Sequence, residues 1–454
     1  MFPIRNKIYI FMFPIRNMKK EIFKKLLVEW ADKQLPEMID REVKVDVSGK
    51  KIIVVTGVRR AGKTYLLFST IKDLIDNKHV DKNEIIYINF EDERFIGFGA
   101  GDFDYIMDAF ELLSDIDKNH DIHIFFDEIQ NVADWDRAIR RLYDTNKYKI
   151  FLTGSSSKLL SMEISTSLAG RDLTYIMYPF SFKEFLRAKK FNPDKLHVYS
   201  DAGKLKKYAM EYILYGGFPE IAYIDDTSTK RRIISSYYDT IIFRDMSGRY
   251  NISDINVLKL IIGYAINSYS SEFSSTKLYN YLKSINISIS KKTVSNYIQY
   301  AENAFFISMN LKFSNSYKKM HQTRKKLYLI DNSFSLLYKK SDDNGKLLEN
   351  SVYIQLLRIK EIYNNMDIFY YRNACEIDFI VTEDYNLFMA VQACYDLNMN
   401  NFDREVKPLK KFLDKYNLKN GIIITMNDNN INIGDERIKI LNFYQWMLGD
   451  ITGK

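Results

Sequence analysis

The sequence KIIVVTGVRRAGKTYLL, residues 51–67, decides the fold class of this 454-residue chain. Residues 51–56 are a short run of mainly β-branched apolar side chains, which predicts a buried strand, and a helix is predicted from Tyr65 onward. Between them, GVRRAGKT at 57–64 matches the pattern G-x-x-x-x-G-K-[ST] in the strand–loop–helix context of a phosphate-binding loop. The sequence therefore predicts an α/β fold with a nucleotide site.

The residue types of this loop indicate how it would bind a nucleotide. Glycines let the backbone curl so that successive N–H groups point at phosphate oxygens, next to the positive end of the following helix. Lys63 is expected to reach the β- and γ-phosphates, and the Thr64 hydroxyl is expected to contact Mg²⁺. We therefore predict ATP and Mg²⁺ as ligands. The loop residues predicted to bind them are Gly57, Val58, Arg59, Arg60, Ala61, Gly62, Lys63 and Thr64.

A second element supplies carboxylates. Residues 122–128, IHIFFDE, read as a buried strand that ends in two acids. In P-loop enzymes such a strand lies in the same parallel sheet with its acidic end toward the phosphates. Asp127 is expected to hold the Mg²⁺ shell, and Glu128 to orient or deprotonate the attacking water. An isolated acidic pair would more simply mark a strand running into a polar turn, but the P-loop favours the functional interpretation.

A third strand is predicted in KIFLTGSSSKLL, residues 149–160, with Thr153 and Ser155 at its tip. Polar side chains there can contact the γ-phosphate or the lytic water. Ser155 and the two serines after it can equally cap a helix. The sequence leaves both interpretations open.

Several motifs together resemble the archaeal and bacterial ATPases of the AAA superfamily in which a P-loop domain is joined to a winged helix and a restriction-endonuclease-like domain of unknown function. The motifs are GVRRAGKT (57–64), FFDEIQNVADW (125–135), LTGSS (152–156), SLAGRDLTYIMYPFSFKEF (167–185), YGGFPE (215–220), LEN (348–350), CEIDFIV (375–381) and VQACYD (391–396). The resemblance implies that the strand at 149–153 lies between the P-loop strand and the Asp127 strand. Its LAGR motif makes Arg171 the candidate arginine that neutralises transition-state charge, within the chain or from a neighbouring subunit.

The expected fold class is accordingly α/β with an AAA-type P-loop sheet, a helical lid, a winged helix-turn-helix and a restriction-endonuclease-like α/β domain. The predicted boundaries are an N-terminal helical segment at 1–50, the ATPase core at 51–180, the lid at 181–229, the winged-helix region at 230–330 and the last domain at 331–454. Two cysteines exclude a disulfide framework. No apolar stretch reaches the roughly 18 residues of a membrane helix, so we expect a cytoplasmic protein without a membrane partner.

Residues 230–330 are strongly basic. They contain sixteen Lys and Arg and five Asp and Glu, a balance of +11 in a chain whose formal net charge is +8. Within them, residues 274–285 and 288–307 read as a helix-turn-helix followed by two strands. The second helix would expose Lys291, Lys292, Thr293 and Asn296, residue types that contact phosphates and base edges. Duplex DNA is the predicted partner, and docking of a protein is the alternative.

The last domain resembles a nuclease that has lost residues. In restriction-like nucleases a helix Glu, a strand Asp and an acid-x-Lys pair bind Mg²⁺ and activate water. Glu349 and Asp378 match, but the acid-x-Lys position reads Gln392, Ala393, Cys394. The resemblance therefore implies a degenerate nuclease retained for binding or assembly.

The function predicted from the sequence is a slow ATPase that couples ATP binding or hydrolysis to recognition of a macromolecule, with DNA as the expected one. One alternative is an ATP-switched scaffold for protein interaction. Another is an ATP-dependent nuclease that uses Glu349 and Asp378. A homo-oligomer or a protein partner is compatible with each of these.

Overall fold

The computed structural model describes residues 5–113, 121–155, 168, 170–191, 202–338, 343–373, 375–427 and 431–449, with side chains from residue 19 onward. The chain forms two compact units. The first consists of Met1–Gly57 and Gly62–Met177, and the second of Val58–Ala61 and Tyr178–Lys454.

The first unit is built on a parallel five-stranded sheet in the order β2-β3-β4-β1-β5. Its strands are β1 (Ile52–Thr56), β2 (Ile85–Asn89), β3 (Ile122–Asp127), β4 (Tyr148–Gly154) and β5 (Asp172–Ile176). This sheet confirms the predicted P-loop fold class. It also confirms that the strand at 149–153 lies between the P-loop strand and the Asp127 strand.

Helices cover this sheet, and their bounds are α1 (Arg5–Asp32), α2 (Lys63–Lys78), α3 (Phe103–Leu113) and α4 (Trp135–Asp144). Every residue of β1 is buried, as expected for a parallel strand with both faces covered. Helix α1 packs near β2, where the Trp30 indole N–H donates to the Ile85 carbonyl at 2.8 Å. The helix after the P-loop begins at Lys63, two residues before the predicted Tyr65, because Gly62 in the left-handed region already ends the loop.

The second unit begins with helices, in agreement with the helical segment predicted for residues 181–229. They are α5 (Phe182–Ala188), α6 (Ala202–Tyr215), α7 (Pro219–Ala222) and α8 (Thr227–Thr240), which continues as a π-helix over Ile241–Gly248. At the YGGFPE motif (215–220), the glycine backbone packs closely against neighbouring side chains. A Cβ on Gly216 would lie 1.8 Å from the Asp331 carboxylate, and the Gly217 N–H donates to that carboxylate at 2.8 Å. A role of this region as a lid stays a prediction.

A compact group of helices and strands follows in the order of a winged helix. Its elements are α9 (Ile255–Asn267), β6 (Ser271–Phe273), α10 (Ser275–Ser284), α11 (Lys291–Asn303), β7 (Ile307–Lys312), α12 (Tyr317–Gln322) and β8 (Lys325–Leu329). The Ser290 hydroxyl caps α11 by accepting from the Thr293 N–H at 3.0 Å. Helix α12 interrupts the connection between β7 and β8 and was not anticipated from the sequence.

The C-terminal part adds an α/β unit, the predicted fold class of this domain. Its elements are α13 (Asn344–Tyr363), β9 (Met366–Arg372), β10 (Glu376–Glu383), β11 (Asn386–Ala393), α14 (Phe402–Tyr416), β12 (Gly421–Thr425), β13 (Ile438–Asn442) and α15 (Phe443–Leu448). Its strands and β6, β7 and β8 form one mixed sheet in the order β13-β12-β11-β10-β9-β7-β8-β6.

Only a short pairing of β7 with β9 joins the two parts of that sheet. Strand β7 pairs with β9 in parallel through Leu311 with Phe369 and Lys312 with Tyr370. The sheet therefore continues across the predicted boundary at residue 330, and the division into a winged-helix region and a last domain stays a prediction. None of the described helices combines the length and the apolar character that crossing a membrane requires.

Candidate functional site

The P-loop has the backbone conformation that its glycines permit. Gly57 has φ 147° and Gly62 has φ 100°, both in the region that favours glycine, and Arg60 is also left-handed at φ 69°. A Cβ on Gly57 would lie 2.1 Å from the carbonyl oxygen of Met177, so no other residue fits there without movement. The loop ends at α2, whose first-turn N–H groups and dipole favour an anion.

Asp127 lies at the end of β3 and is fully buried. Its carboxylate accepts hydrogen bonds from the hydroxyls of Thr64 at 2.6 Å and Tyr87 at 3.0 Å, and from the Thr153 hydroxyl. Burial, followed by the nearby charge of Glu128, raises the pKa of Asp127 above its usual range, while the three hydrogen bonds oppose that rise. A carboxylate whose charge is disfavoured in this way is stabilised by a bound cation.

The same geometry tests whether Mg²⁺ fits. Carboxylate and hydroxyl oxygens are the hard donors that Mg²⁺ prefers. Thr64 from the P-loop helix and Asp127 from a different strand place such oxygens 2.6 Å apart, next to a loop shaped for phosphate. These residues therefore fit Mg²⁺ arriving with a nucleotide.

Glu128 faces the P-loop lysine. Its backbone is left-handed, with φ 52° and ψ 47°, and its N–H donates to the Thr153 hydroxyl oxygen at 2.9 Å. This turn brings Glu128 Oε1 to 3.4 Å from Lys63 Nζ, and the ammonium also donates to the Gly57 carbonyl at 3.2 Å. Gln130 Nε2 donates to the other carboxylate oxygen. Lys63 and Glu128 are both buried, so each compensates the other's charge.

Thr153 and Ser155 occupy different positions at the tip of β4. The Thr153 side chain joins the Asp127 carboxylate to the Glu128 backbone, so it fixes both acids relative to each other. Ser155 is fully buried, and its Oγ accepts from Gln130 Nε2 at 3.3 Å. Their predicted contacts with the γ-phosphate stay predictions, and the alternative helix cap extends into residues 156–157, which lie outside the described part of the chain.

The structure does not bring Arg171 into the nucleotide site of its own chain. Its carbonyl accepts from the N–H of Ile52, at the start of β1, whereas the P-loop follows the end of that strand at Thr56. At about 3.3 Å per residue, the two ends are roughly 13 Å apart. The Arg171 guanidinium instead lies 3.7 Å from Asp144. A role of Arg171 in neutralising transition-state charge, within the chain or from a neighbouring subunit, stays a prediction.

Two P-loop arginines have side-chain partners in the second unit, to which residues 58–61 belong. Arg59 donates to both carboxylate oxygens of Asp245, with its Nε at 3.2 Å and its Nη2 at 3.1 Å. The Arg60 guanidinium lies over the Tyr237 ring, 5.7 Å from its centroid. Arg59 and Arg60 are therefore expected to contribute their backbone N–H groups, rather than their side chains, to phosphate binding.

A second cluster of charged side chains is buried in the C-terminal part. Lys326 Nζ, from β8, lies 2.8 Å from Glu349 Oε1 and 3.2 Å from Asp378 Oδ1. The Tyr328 hydroxyl donates to the same Glu349 oxygen at 2.7 Å. Burial alone would lower the pKa of Lys326, but the charges of Asp378 and Glu349 outweigh it and raise that pKa. No local sequence pattern pointed to Lys326 as part of this cluster.

The position of the expected acid-x-Lys pair is also described. Gln392 Nε2 donates to Glu405 Oε2 at 2.8 Å, and Gln392 Oε1 accepts from the Asp378 N–H at 3.3 Å. Cys394 is buried, and burial, then the charge of Glu405, raises the pKa of its thiol to about 12. The position of the expected acid-x-Lys pair therefore carries neither a carboxylate nor an ammonium.

Comparison with known proteins places the chain in a family. Family models match an AAA domain at residues 49–186, the domain of unknown function DUF8612 at 206–342 and the domain of unknown function DUF4143 at 344–446. An uncharacterised protein of Methanocaldococcus jannaschii is 38% identical over 442 residues, 95% of this chain and 96% of that protein. The chain belongs to this AAA-domain family.

An uncharacterised protein of Haemophilus influenzae is 32% identical over 310 residues, 68% of this chain and 74% of that protein. Among solved structures, the Aeropyrum pernix ORC1 protein in complex with DNA is similar over 75% of this chain and 94% of that one. Its TM-score of 0.29 and identity of 14% are too low to say what this AAA-domain protein binds.

The basic region of this AAA-domain protein presents one polar helix face. Val294, Ile298 and Ala301 bury one side of α11, while Lys292, Ser295, Asn296 and Gln299, at helical spacing, are exposed on another. Lys291 is exposed beside this face, and the Thr293 hydroxyl pairs with that of Ser290 at 2.8 Å. Two of the sixteen cations, Lys230 and Lys326, are instead buried in ion pairs with acids. The exposed charge is therefore smaller than the sequence count.

Proposed function

We propose that this protein binds ATP with Mg²⁺ at the P-loop, hydrolyses it, and couples that cycle to recognition of duplex DNA. The AAA domain supports the nucleotide part. The observation that carries the proposal is the 2.6 Å hydrogen bond between Thr64 and Asp127, because it joins the phosphate loop to the acidic strand end at one point of the sheet. Mg²⁺, held there by Thr64 and Asp127, would neutralise charge on the phosphates.

The remaining groups have separate tasks in this proposal. Lys63 and the backbone N–H groups of residues 57–63 bind the phosphate oxygens and fix their orientation. When the Lys63 ammonium turns to phosphate, Glu128 loses its charge partner and its carboxylate is released to accept a proton from water. Thr153 holds Glu128 and Asp127 in a fixed position relative to each other. A steady-state ATPase assay with and without duplex DNA tests both hydrolysis and coupling.

DNA recognition is supported by charge and by exposed side chains. The exposed face of α11 carries Lys292 and Asn296, the kinds of side chain that contact phosphates and adenine edges. The segment between β7 and β8 adds exposed Lys318, Lys319 and Arg324. Both groups belong to one winged-helix element order, in which a helix and a hairpin can engage the same duplex.

Replacing Lys291 and Lys292 with Ala is expected to weaken DNA binding about equally for all sequences. Each phosphate contact releases condensed counterions, so losing two should reduce the slope of log K against log salt by roughly one to two units. Fluorescence anisotropy with several duplexes at several salt concentrations measures affinity and slope together.

The matched control replaces Lys411 and Lys419, two exposed lysines outside the basic region, with Ala. It changes the net charge equally and should leave the slope unchanged. Equal DNA affinity of the Lys291/Lys292 variant and the wild type would favour protein docking.

We also expect no cleavage of single- or double-stranded DNA with Mg²⁺ or Mn²⁺. Gln392 and Cys394 replace the acid and the lysine that a restriction-like site needs. Mn²⁺ is the more demanding test because it tolerates weaker sites. Asp378→Ala should retain the wild-type ATPase rate. DNA cleavage that disappears in the Asp378→Ala protein would establish the nuclease alternative.

A further inference from the structure

The restriction-like interpretation of the C-terminal part implies a Mg²⁺ ion bound between Glu349 and Asp378. In the structure, the position between these two carboxylates is taken by an ammonium group. Lys326 Nζ is 2.8 Å from Glu349 and 3.2 Å from Asp378, and the exposed fractions of the three side chains are 4%, 12% and 9%. Mg²⁺ would need the same position, because its bonds to oxygen are only about 2.1 Å long.

We infer that the Lys326 ammonium is the resident cation of this site, and that it excludes divalent metal ions by occupying the space and by balancing the charge of Glu349 and Asp378.

The charges around the site support this assignment. A third carboxylate, Glu376, lies 3.5 Å from the same ammonium. A divalent ion bound to either inner carboxylate would lie within about 4 Å of a buried positive charge, where water screens the repulsion weakly.

The carboxylate oxygens are also engaged with other donors. Glu349 Oε1 accepts from the Tyr328 hydroxyl at 2.7 Å, and Asp378 Oδ2 accepts from the Ala393 N–H at 3.0 Å. Among the described residues, no group of three or more His, Cys, Asp or Glu side chains is placed to hold a metal ion. The donor set therefore suits an ammonium and does not suit Mg²⁺.

Lys326 also has a structural role. It lies on β8, while its partners Glu349 and Asp378 lie on α13 and β10, and two strands lie between β8 and β10 in the sheet order. A flat sheet would separate β8 and β10 by about 14 Å, beyond the reach of a lysine, so the 3.2 Å contact between Lys326 and Asp378 requires the sheet to curve between these strands. Lys326 thus ties β8 to the helix and strand of the C-terminal part.

The first test needs no change at residue 326. Electron paramagnetic resonance of free Mn²⁺ counts the ions bound by the full-length, nucleotide-free protein. Wild type and Asp378→Asn are expected to bind the same number. If wild type binds one Mn²⁺ more than Asp378→Asn, a metal ion enters the site despite Lys326 and the inference is wrong.

The second test removes the ammonium. In Lys326→Met the side chain ends one atom short of Nζ, so the stem is kept and the cation position is opened. This variant is expected to unfold at a lower temperature than wild type, to gain one Mn²⁺ site, and to recover part of its thermal stability when Mn²⁺ is added. Adding Asp378→Asn to it should abolish the gained site.

Lys325→Met is the matched control, because it removes the same charge from the neighbouring position of β8, which is only partly buried. It should gain no Mn²⁺ site. Lys326→Ala is the second variant if Lys326→Met does not fold, and the comparison of wild type with Asp378→Asn decides the inference if neither folds. A folded Lys326 variant without an Asp378-dependent Mn²⁺ site would overturn it.

Discussion

Lys63→Ala is expected to abolish ATP binding. The ammonium is buried and lies at the start of α2, where it can reach phosphates bound by the loop. Truncating one partner of a buried, hydrogen-bonded charge pair weakens binding by about 2–5 kcal/mol, which is roughly 30-fold to several thousandfold in Kd. Titration of a fluorescent ATP analogue in the presence of Mg²⁺ measures this loss directly.

The control for Lys63→Ala lies on the same helix. Lys72→Ala makes the identical substitution at an exposed position of α2 and should bind ATP as wild type does. Circular dichroism has to show that the Lys63→Ala variant is folded, since removing the ammonium leaves the buried Glu128 carboxylate without the charge partner that lies 3.4 Å away. A folded Lys63→Ala protein that bound ATP with wild-type affinity would contradict the assignment of the loop.

The nucleotide site was accessible to sequence analysis because each of its parts is local in the chain. The P-loop is eight consecutive residues, and Asp127 and Glu128 follow a continuous apolar run. In a parallel sheet the carboxyl ends of the strands share one edge, so these segments must converge once the fold class is known. The structure supplies what the pattern could not, namely that Thr153 holds both acids and that Glu128 pairs with Lys63.

The position of Arg171 shows the limit of a motif. A resemblance identifies a residue type at a place in the sequence, but the pairing of Ile52 with Asp172 puts Arg171 just before β5, at the starting edge of the sheet. The strand direction alone, which follows from the parallel sheet, would have indicated that the start of β5 lies far from the P-loop. The motif and the topology thus favour different positions for Arg171, and its role at a nucleotide site stays a prediction.

The C-terminal site shows a different limit. Lys326 lies in the predicted winged-helix region at 230–330, while Glu349 and Asp378 lie in the predicted last domain at 331–454. Only the pairing of β7 with β9 brings these segments into one sheet. A net charge count likewise cannot separate exposed lysines from Lys230 and Lys326, which are buried with acidic partners. Long-range pairing decides both points, and no local pattern encodes it.

Glu128→Gln is expected to leave ATP binding intact and to lower turnover by roughly 10²- to 10⁴-fold, the usual contribution of a general base. The amide keeps the shape of the side chain but cannot accept the proton of the attacking water. It also frees the Lys63 ammonium from its ion pair, so ATP affinity should not fall. Single-turnover hydrolysis with bound ATP separates the chemical step from binding. Glu111→Gln, an exposed position on α3, is the matched control and should hydrolyse ATP normally. A Glu128→Gln protein with the wild-type rate would show that another group activates the water.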